Sequence, residues 1–247
     1  MAKRLNIFIL LIFPTFLIGQ DATEIIIKSE EQMKGESSYT EMKMTIVRPK
    51  WTREMTMKSW ALGEDFSLTV ITSPARDKGT AFLKRNREIW NWQPKIDRVI
   101  KMPPSMMMQS WMGSDFSNDD LVNQTSIVDD FTHELMGVDT IEEMACYIIK
   151  LVPLPDATVV WGSIITWIDQ TDYLQIKTEF YDEDEYLVNT MIGREIKMMG
   201  GRKVPSILEV IPADDPGEKT ILEQLVLDFS TKKKESFFSI QNMKRSK

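Results

Sequence analysis

From Met42 to Phe229 apolar residues recur at every second position in one run after another. A backbone patterned with that period buries its apolar side only as paired strands. Met42, Met44 and Ile46 alternate with Glu41, Lys43 and Thr45; Arg53, Met55 and Met57 continue after a turn at Pro49; Phe66, Leu68 and Val70 follow beyond Gly63. Phe82 and Lys84, then Glu88, Trp90 and Trp92, extend the meander between turn residues such as Asn86 and Pro94. Pro103-Pro104 breaks it, and strands resume over 131–138, 143–152, 159–169, 174–180, 186–198, 204–211 and 220–229. About eleven strands exceed what a flat open sheet carries comfortably, so the sheet must curl or close. The expected class is mainly β with a small α component: a strongly curved antiparallel sheet whose concave face is covered by helices.

Two segments read as helices that could supply the cover. Asp21 and Glu24 are spaced as a capping box ahead of an apolar stripe, Ala22, Ile25, Ile26 and Met33, which Gly35 ends. Ser117 and Asp120 form a second such box, and a last short helix starts near Ser236. Residues 1–20 read as a secretory signal peptide: Lys3 and Arg4 precede an apolar run, Leu5 to Ile18, shorter than the roughly 18 residues of a spanning helix. Residues 21–247 then form a single carrier-sized domain, expected in the periplasm and soluble once the leader is cleaved. No linker divides it, and Cys146, the only cysteine, leaves stability to a packed core.

Charge narrows the partners. Loss of the leader takes the bases from 30 to 28 against 37 acids, a balance unsuited to nucleic acid. Anionic membranes would repel most of such a chain. The exception is the end, Lys232-Lys233-Lys234 with Lys244, Arg245 and Lys247, whose plain reading is a solubilising tail.

A concave face must be filled by its own side chains, by helices or by a ligand. Met44, Met55, Met57, Phe66, Leu68, Trp90, Trp92, Trp167, Phe180 and Leu208 all sit on apolar parities, and these ten are the candidate lining of a hydrophobic cargo cavity. Met106, Met107, Met108, Trp111, Met112 and Phe116, in the proline-broken segment 103–121, are the candidate cover. Seventeen methionines in all suit a wall that must accept apolar guests of varied shape, because the thioether side chain is unbranched and polarizable.

The order of these pieces carries a resemblance. Ser73-Pro74, Lys78 to Leu83, Ile89 to Pro94, Arg98 to Lys101 and Met112 to Leu121 follow one another, and Tyr147 to Pro153, Trp161 to Asp169, Tyr181-Asp182 and Val204-Pro205 continue the order. The series resembles the outer-membrane lipoprotein-sorting protein family, the LolA-like periplasmic carriers; Gly113 to Leu121 is its most specific element. The resemblance implies an incomplete β-barrel closed by helices and a carrier of lipoproteins or other acylated or lipid cargo. It also implies an inner-membrane transporter and an outer-membrane receptor as partners, and no cofactor. The cargo-gating arginine of that family has three candidates here, Arg48, Arg53 and Arg76, each of which also reads as an ordinary ion-paired strand residue.

Catalytic and metal signatures are missing where they were sought. His133 is the single histidine and has no Gly-framed serine beside it; Ser163 follows Gly162 without the second glycine of a nucleophile elbow. The acidic run from Asp182 has Leu187 and Gly193 where a calcium loop needs glycine and glutamate. The chain therefore reads as no enzyme, with no metal site. The competing class is a copper(I) protein using Met106, Met107, Met108 and Met112 as thioether ligands, and a free-lipid carrier serving a membrane exporter is the nearer alternative.

Overall fold

The computed structural model describes residues 21–86, 88–123, 126–157 and 159–246, with the side chains of Val122 and Asn123 left aside. The signal-peptide expectation for residues 1–20 lies outside the described residues. Helix α1 (Ala22–Met33) precedes strands β1 (Ser37–Arg48), β2 (Trp51–Leu62), β3 (Phe66–Ser73), β4 (Ala81–Arg85), β5 (Glu88–Gln93) and β6 (Arg98–Met102). A crossing segment follows, and then β7 (Phe131–Ile141), β8 (Met144–Pro153), β9 (Ser163–Asp169), β10 (Gln175–Tyr181), β11 (Leu187–Met199), β12 (Arg202–Pro212) and β13 (Lys219–Asp228). A short helix, α2 (Ile240–Arg245), ends the chain.

All thirteen strands form one antiparallel sheet in the order β6-β5-β4-β3-β2-β1-β13-β12-β11-β10-β9-β8-β7. The curved, unclosed sheet is the incomplete barrel that the alternation called for. It has more strands than the expected eleven. Arg98–Met102 lacks clear alternation because it is an edge strand, exposed at Arg98, Ile100 and Lys101. The strand expected from residue 159 starts only at Ser163; just before it Gly162 runs so close to its neighbour that a Cβ there would sit 2.2 Å from the backbone oxygen of Asp182.

Topology explains the long break at Pro103-Pro104. The chain meanders outward from β1 to the edge strand β6, then must reach the opposite edge, β7, before meandering back to β13, which pairs with β1. The described residues between 103 and 130 make that passage across the concave side. A 3-10 turn at Pro104–Met106 and a π-turn at Asp119–Asn123 occupy it, since prolines and clustered polar residues forbid ladder pairing.

Helix α1 packs on the second half of the sheet. Asp21 caps it, accepting from Thr23 N at 3.0 Å, but Glu24 does not reach back; it pairs with Lys28 at 2.7 Å instead, so the capping box is half made. Ile25 and Ile26 are fully buried against Phe131, Ile149, Ile164 and Ile168, each worth about 1.5–3 kcal/mol on leaving water. His133 fixes both ends of this contact: one ring nitrogen meets Thr23 Oγ1 at 3.1 Å and the other meets Ile127 O at 2.7 Å. Its two nitrogens are thus committed to structure.

Apolar clusters occupy both sides of the sheet. On the concave side the cross-strand pairs Met42 with Met57 and Met44 with Met55 lie among Ile46, Ile71, Phe82 and Trp111. On the outer side Leu68, Leu83 and Trp92 are sealed by Phe238 and Met243 from the C-terminal segment, which folds back over β4 and β5.

Candidate functional site

A cavity of about 380 Å3 opens between the concave face, the end of α1 and the crossing segment. Strands supply Met42, Met57, Met191, Leu208, Val210 and Leu222; the crossing segment supplies Trp111, Phe116 and Leu121; the far half supplies Phe131, Trp161, Ile164 and Phe180. The wall is not purely apolar, because Thr69, Asn189, Gln224, Asp115, Asp119 and Asp120 also reach it. Glu30, Lys34, Gly35, Gly63 and Glu64 border both this cavity and an adjoining hollow of about 350 Å3 that runs beside α1 to Val128. The main cavity has about two and a half times the volume of an engineered apolar void that admits benzene, and it falls in the range of small-molecule pockets.

The ten candidate lining residues divide between the two faces. Met57, Phe180 and Leu208 line the cavity, and Met44 and Met55 are buried in the methionine-rich cluster beneath it. Phe66, Leu68, Trp90 and Trp92 belong to the outer cluster under Phe238, while Trp167 packs outside with Cys146, Leu174 and Ile176. The reason is the pleat. In β3 the cavity is met by Ser67 and Thr69, so Phe66 and Leu68 face outward, and in the paired strands Trp90 and Trp92 follow them. Alternation marks two faces without saying which is inside. Here both are apolar, because the C-terminal segment covers the outer one.

The six candidate cover residues of the crossing segment are turned to different surroundings. Trp111 and Phe116 line the cavity, Trp111 stacking on Phe82 at 5.3 Å between ring centroids. Met107 is buried, Met106 and Met112 pack against the same cluster, and Met108 points to solvent with 69% of its surface exposed. The consecutive methionines are therefore turned in different directions.

Two arginines of the first hairpin hold this segment, and their role was not legible beforehand. Arg48 grips Asp115 with two bonds, Nη2 to Oδ1 at 2.8 Å and Nη1 to Oδ2 at 3.1 Å, and its Nε meets Glu218 at 2.8 Å. Thr220 Oγ1 donates to Asp115 Oδ2 at 2.7 Å and accepts from Asp115 N at 3.0 Å. Arg53 donates from Nη1 to Met112 O at 3.1 Å and from Nη2 to Asp77 at 3.0 Å. Met112 and Gly113 adopt successive left-handed conformations, φ 54° and 81°, which glycine accepts freely and methionine does not. Arg76, the third candidate, lies mostly exposed beside Asp77. The missed signal was positional: Arg48 is the last residue of β1 and faces the acid of the most specific motif.

Ser117 and Asp120 make their capping box in both directions, Asp120 Oδ2 accepting from Ser117 N at 2.7 Å and Ser117 Oγ from Asp120 N at 3.1 Å. Asp120 keeps some accessible surface, but that surface faces the cavity. Burial raises its carboxyl to about 6, with Asp119 adding to the rise and bonds from Ser117 and Trp161 opposing it. A pKa higher in the folded than in the unfolded chain gives a contribution to stability that is complete below about pH 4 and lost as pH rises through 6. Asp120→Asn is therefore expected to gain about 3 kcal/mol on the native protein between pH 4 and neutrality. Urea unfolding of both proteins across that window checks it; parallel pH profiles would refute the assignment.

Among the described residues no three His, Cys, Asp or Glu side chains are grouped to hold a metal ion, and no helix is long and apolar enough to cross a membrane.

The comparisons with known proteins agree with this geometry. A family model described as "-like: Uncharacterized protein" matches residues 63–245. No curated protein matches the chain by sequence. Among solved structures, a DUF1329 family protein from Desulfovibrio piger is 21% identical with a TM-score of 0.83, over 90% of this chain and 97% of its own. An outer membrane lipoprotein-sorting protein domain from Vibrio parahaemolyticus is 21% identical with a TM-score of 0.82, over 91% and 98%. A LolA superfamily protein from Nitrosomonas europaea is 20% identical with a TM-score of 0.79, over 90% and 99%.

Proposed function

We propose, for a chain that belongs to the family matched over residues 63–245 and has the fold of LolA-superfamily and lipoprotein-sorting proteins, that it is a carrier of acylated cargo. It holds the acyl chains of lipoproteins in the cavity under the crossing segment and conveys them through the periplasm toward the outer membrane. The observation that carries this reading is the cavity itself: about 380 Å3 left unfilled between a methionine-rich concave face and a crossing segment held by both polar bonds and apolar contacts. Hydrocarbon supplies the driving force, since about 0.8 kcal/mol per buried methylene gives a sixteen-carbon chain roughly 13 kcal/mol before ordering costs. A guest that gains so much cannot cross water unaided at a useful rate. Its carrier must enclose it and also let it go, which an adaptable thioether wall does better than a rigid fit. An inner-membrane transporter that loads the carrier and an outer-membrane receptor that empties it are the partners this role requires. No step calls for catalysis.

The acids and amides in the wall favour a second guest, a free lipid whose headgroup enters with its chains, handed over for a membrane exporter. Leu208→Trp tests the site common to both, because the larger ring would occupy the cavity. A fluorescent fatty-acyl probe is expected to lose at least tenfold in affinity, with thermal unfolding checked to show that the fold persists. Failure of the native protein to bind, or equal binding by a folded variant, overturns the carrier reading. Mass spectrometry of what co-purifies then separates lipoprotein from free lipid.

A further inference from the structure

The basic C-terminal end lies on the outer side of the sheet, remote from the use made of the cavity. There four cations cap four rings of one cluster: Arg85 over Phe66, Lys101 over Trp90, Lys244 over Trp92 and Lys233 over Phe237, at 4.6–5.9 Å from nitrogen or guanidinium carbon to ring centre. Residues 232–247 hold six bases and one acid in a chain with seven more acids than bases. Glu88 engages Lys101, and Asp97 approaches Lys244 at 3.4 Å. Arg85, Lys232, Lys233, Lys234 and Arg245 form no ion pair among the described residues. Two apolar side chains of the same region stand in water, Ile96 at 59% exposure next to Lys95 and Ile240, the first residue of α2, at 41%.

We propose that this outer face docks the protein on an anionic lipid bilayer. The charge is complementary to phosphate headgroups, and the lysine ammonium groups sit over aromatic rings of the outer face, a pairing of cation and ring suited to a headgroup layer. The exposed isoleucines supply the shallow apolar contact that accompanies it. The bases are spread over a broad outer surface drawn from β4, β6 and the C-terminal end, as a planar surface requires. The concave side, with the acids Glu30, Glu31, Glu64 and Asp129 around its openings, is repelled by the same lipids, so the bound protein is oriented with its mouth off the headgroups. The tail is a contact surface rather than a solubilising appendage.

Vesicle flotation tests this without cargo, and so independently of the carrier reading. The native protein is expected to float with phosphatidylcholine vesicles containing about 30% phosphatidylglycerol, not with pure phosphatidylcholine, and to be released by about 0.5 M salt. Near the surface each lysine is worth about fivefold, so a variant with Lys232→Gln, Lys233→Gln and Lys234→Gln should bind roughly a hundredfold more weakly. These positions are at the surface, and an unchanged thermal melt confirms that the fold survives. Equal flotation with both vesicle types, or no loss in the triple variant, overturns the proposal. Retention on a polyglutamate surface without binding to anionic vesicles also overturns it and assigns the face to an acidic protein.

Discussion

Arg48→Ala is expected to lower folding stability by about 3–5 kcal/mol, because it leaves Asp115 as an unpaired charge in a largely dry place. The two side chains retain only 12% and 9% of their exposure, so solvent cannot replace the lost partner. Thr220 Oγ1 would still donate to the carboxylate, which keeps the loss from being larger. Urea unfolding near neutral pH measures the effect. Asp115→Asn should restore much of the stability in the Arg48→Ala background, since it removes the stranded charge while keeping an acceptor for Thr220. A loss under 1 kcal/mol would show the pair to be an exposed ornament of the surface. The same substitution should make residues 112–121 exchange their amide hydrogens faster than β1 does, because Arg48 joins that segment to the sheet.

Phe238→Ala is expected to cost a similar 3–5 kcal/mol, by a different route. Its ring has no exposed surface and lies between Phe66 at 5.7 Å and Phe237 at 5.3 Å, part of a chain of aromatic contacts that runs through Trp60 to Tyr39. Removing it leaves a void, and it also removes the anchor by which residues 235–245 hold to β4 and β5. Trypsin should therefore cut after Lys232, Lys233 or Lys234 in the variant at concentrations that leave the native protein whole. Uniform sensitivity of both proteins there would mean the segment is not held by this ring.

The alternation of Met42, Met44 and Ile46 and its repeats was enough to give a curved antiparallel sheet, because a two-residue period has one interpretation in a chain of mixed polarity. Ser117 and Asp120 likewise announced their reciprocal bonds by spacing alone. What sequence could not give was sidedness. Phe66, Leu68, Trp90 and Trp92 have the same pattern as Met55 and Met57, and only the return of Phe238 over the outer face makes them a second core. Register is equally invisible: nothing in the sequence matches Met191 to Val210 across β11 and β12, a pair that helps to form the wall. Spacing alone does not single out Arg48 and Arg53 from Arg76, because their partners Asp115 and Met112 lie 67 and 59 residues away along the chain. Ion pairs of that separation are set by topology, and topology follows from where β13 pairs.

The sheet ends in two strands that never meet, β6 and β7. A closed barrel can widen only by tearing a ladder of backbone bonds, whereas these two margins can move apart with every ladder intact. The work of changing the girth of this molecule therefore falls on the contacts of one strap, the bonds of Arg48 and Arg53 together with the buried rings of Trp111 and Phe116.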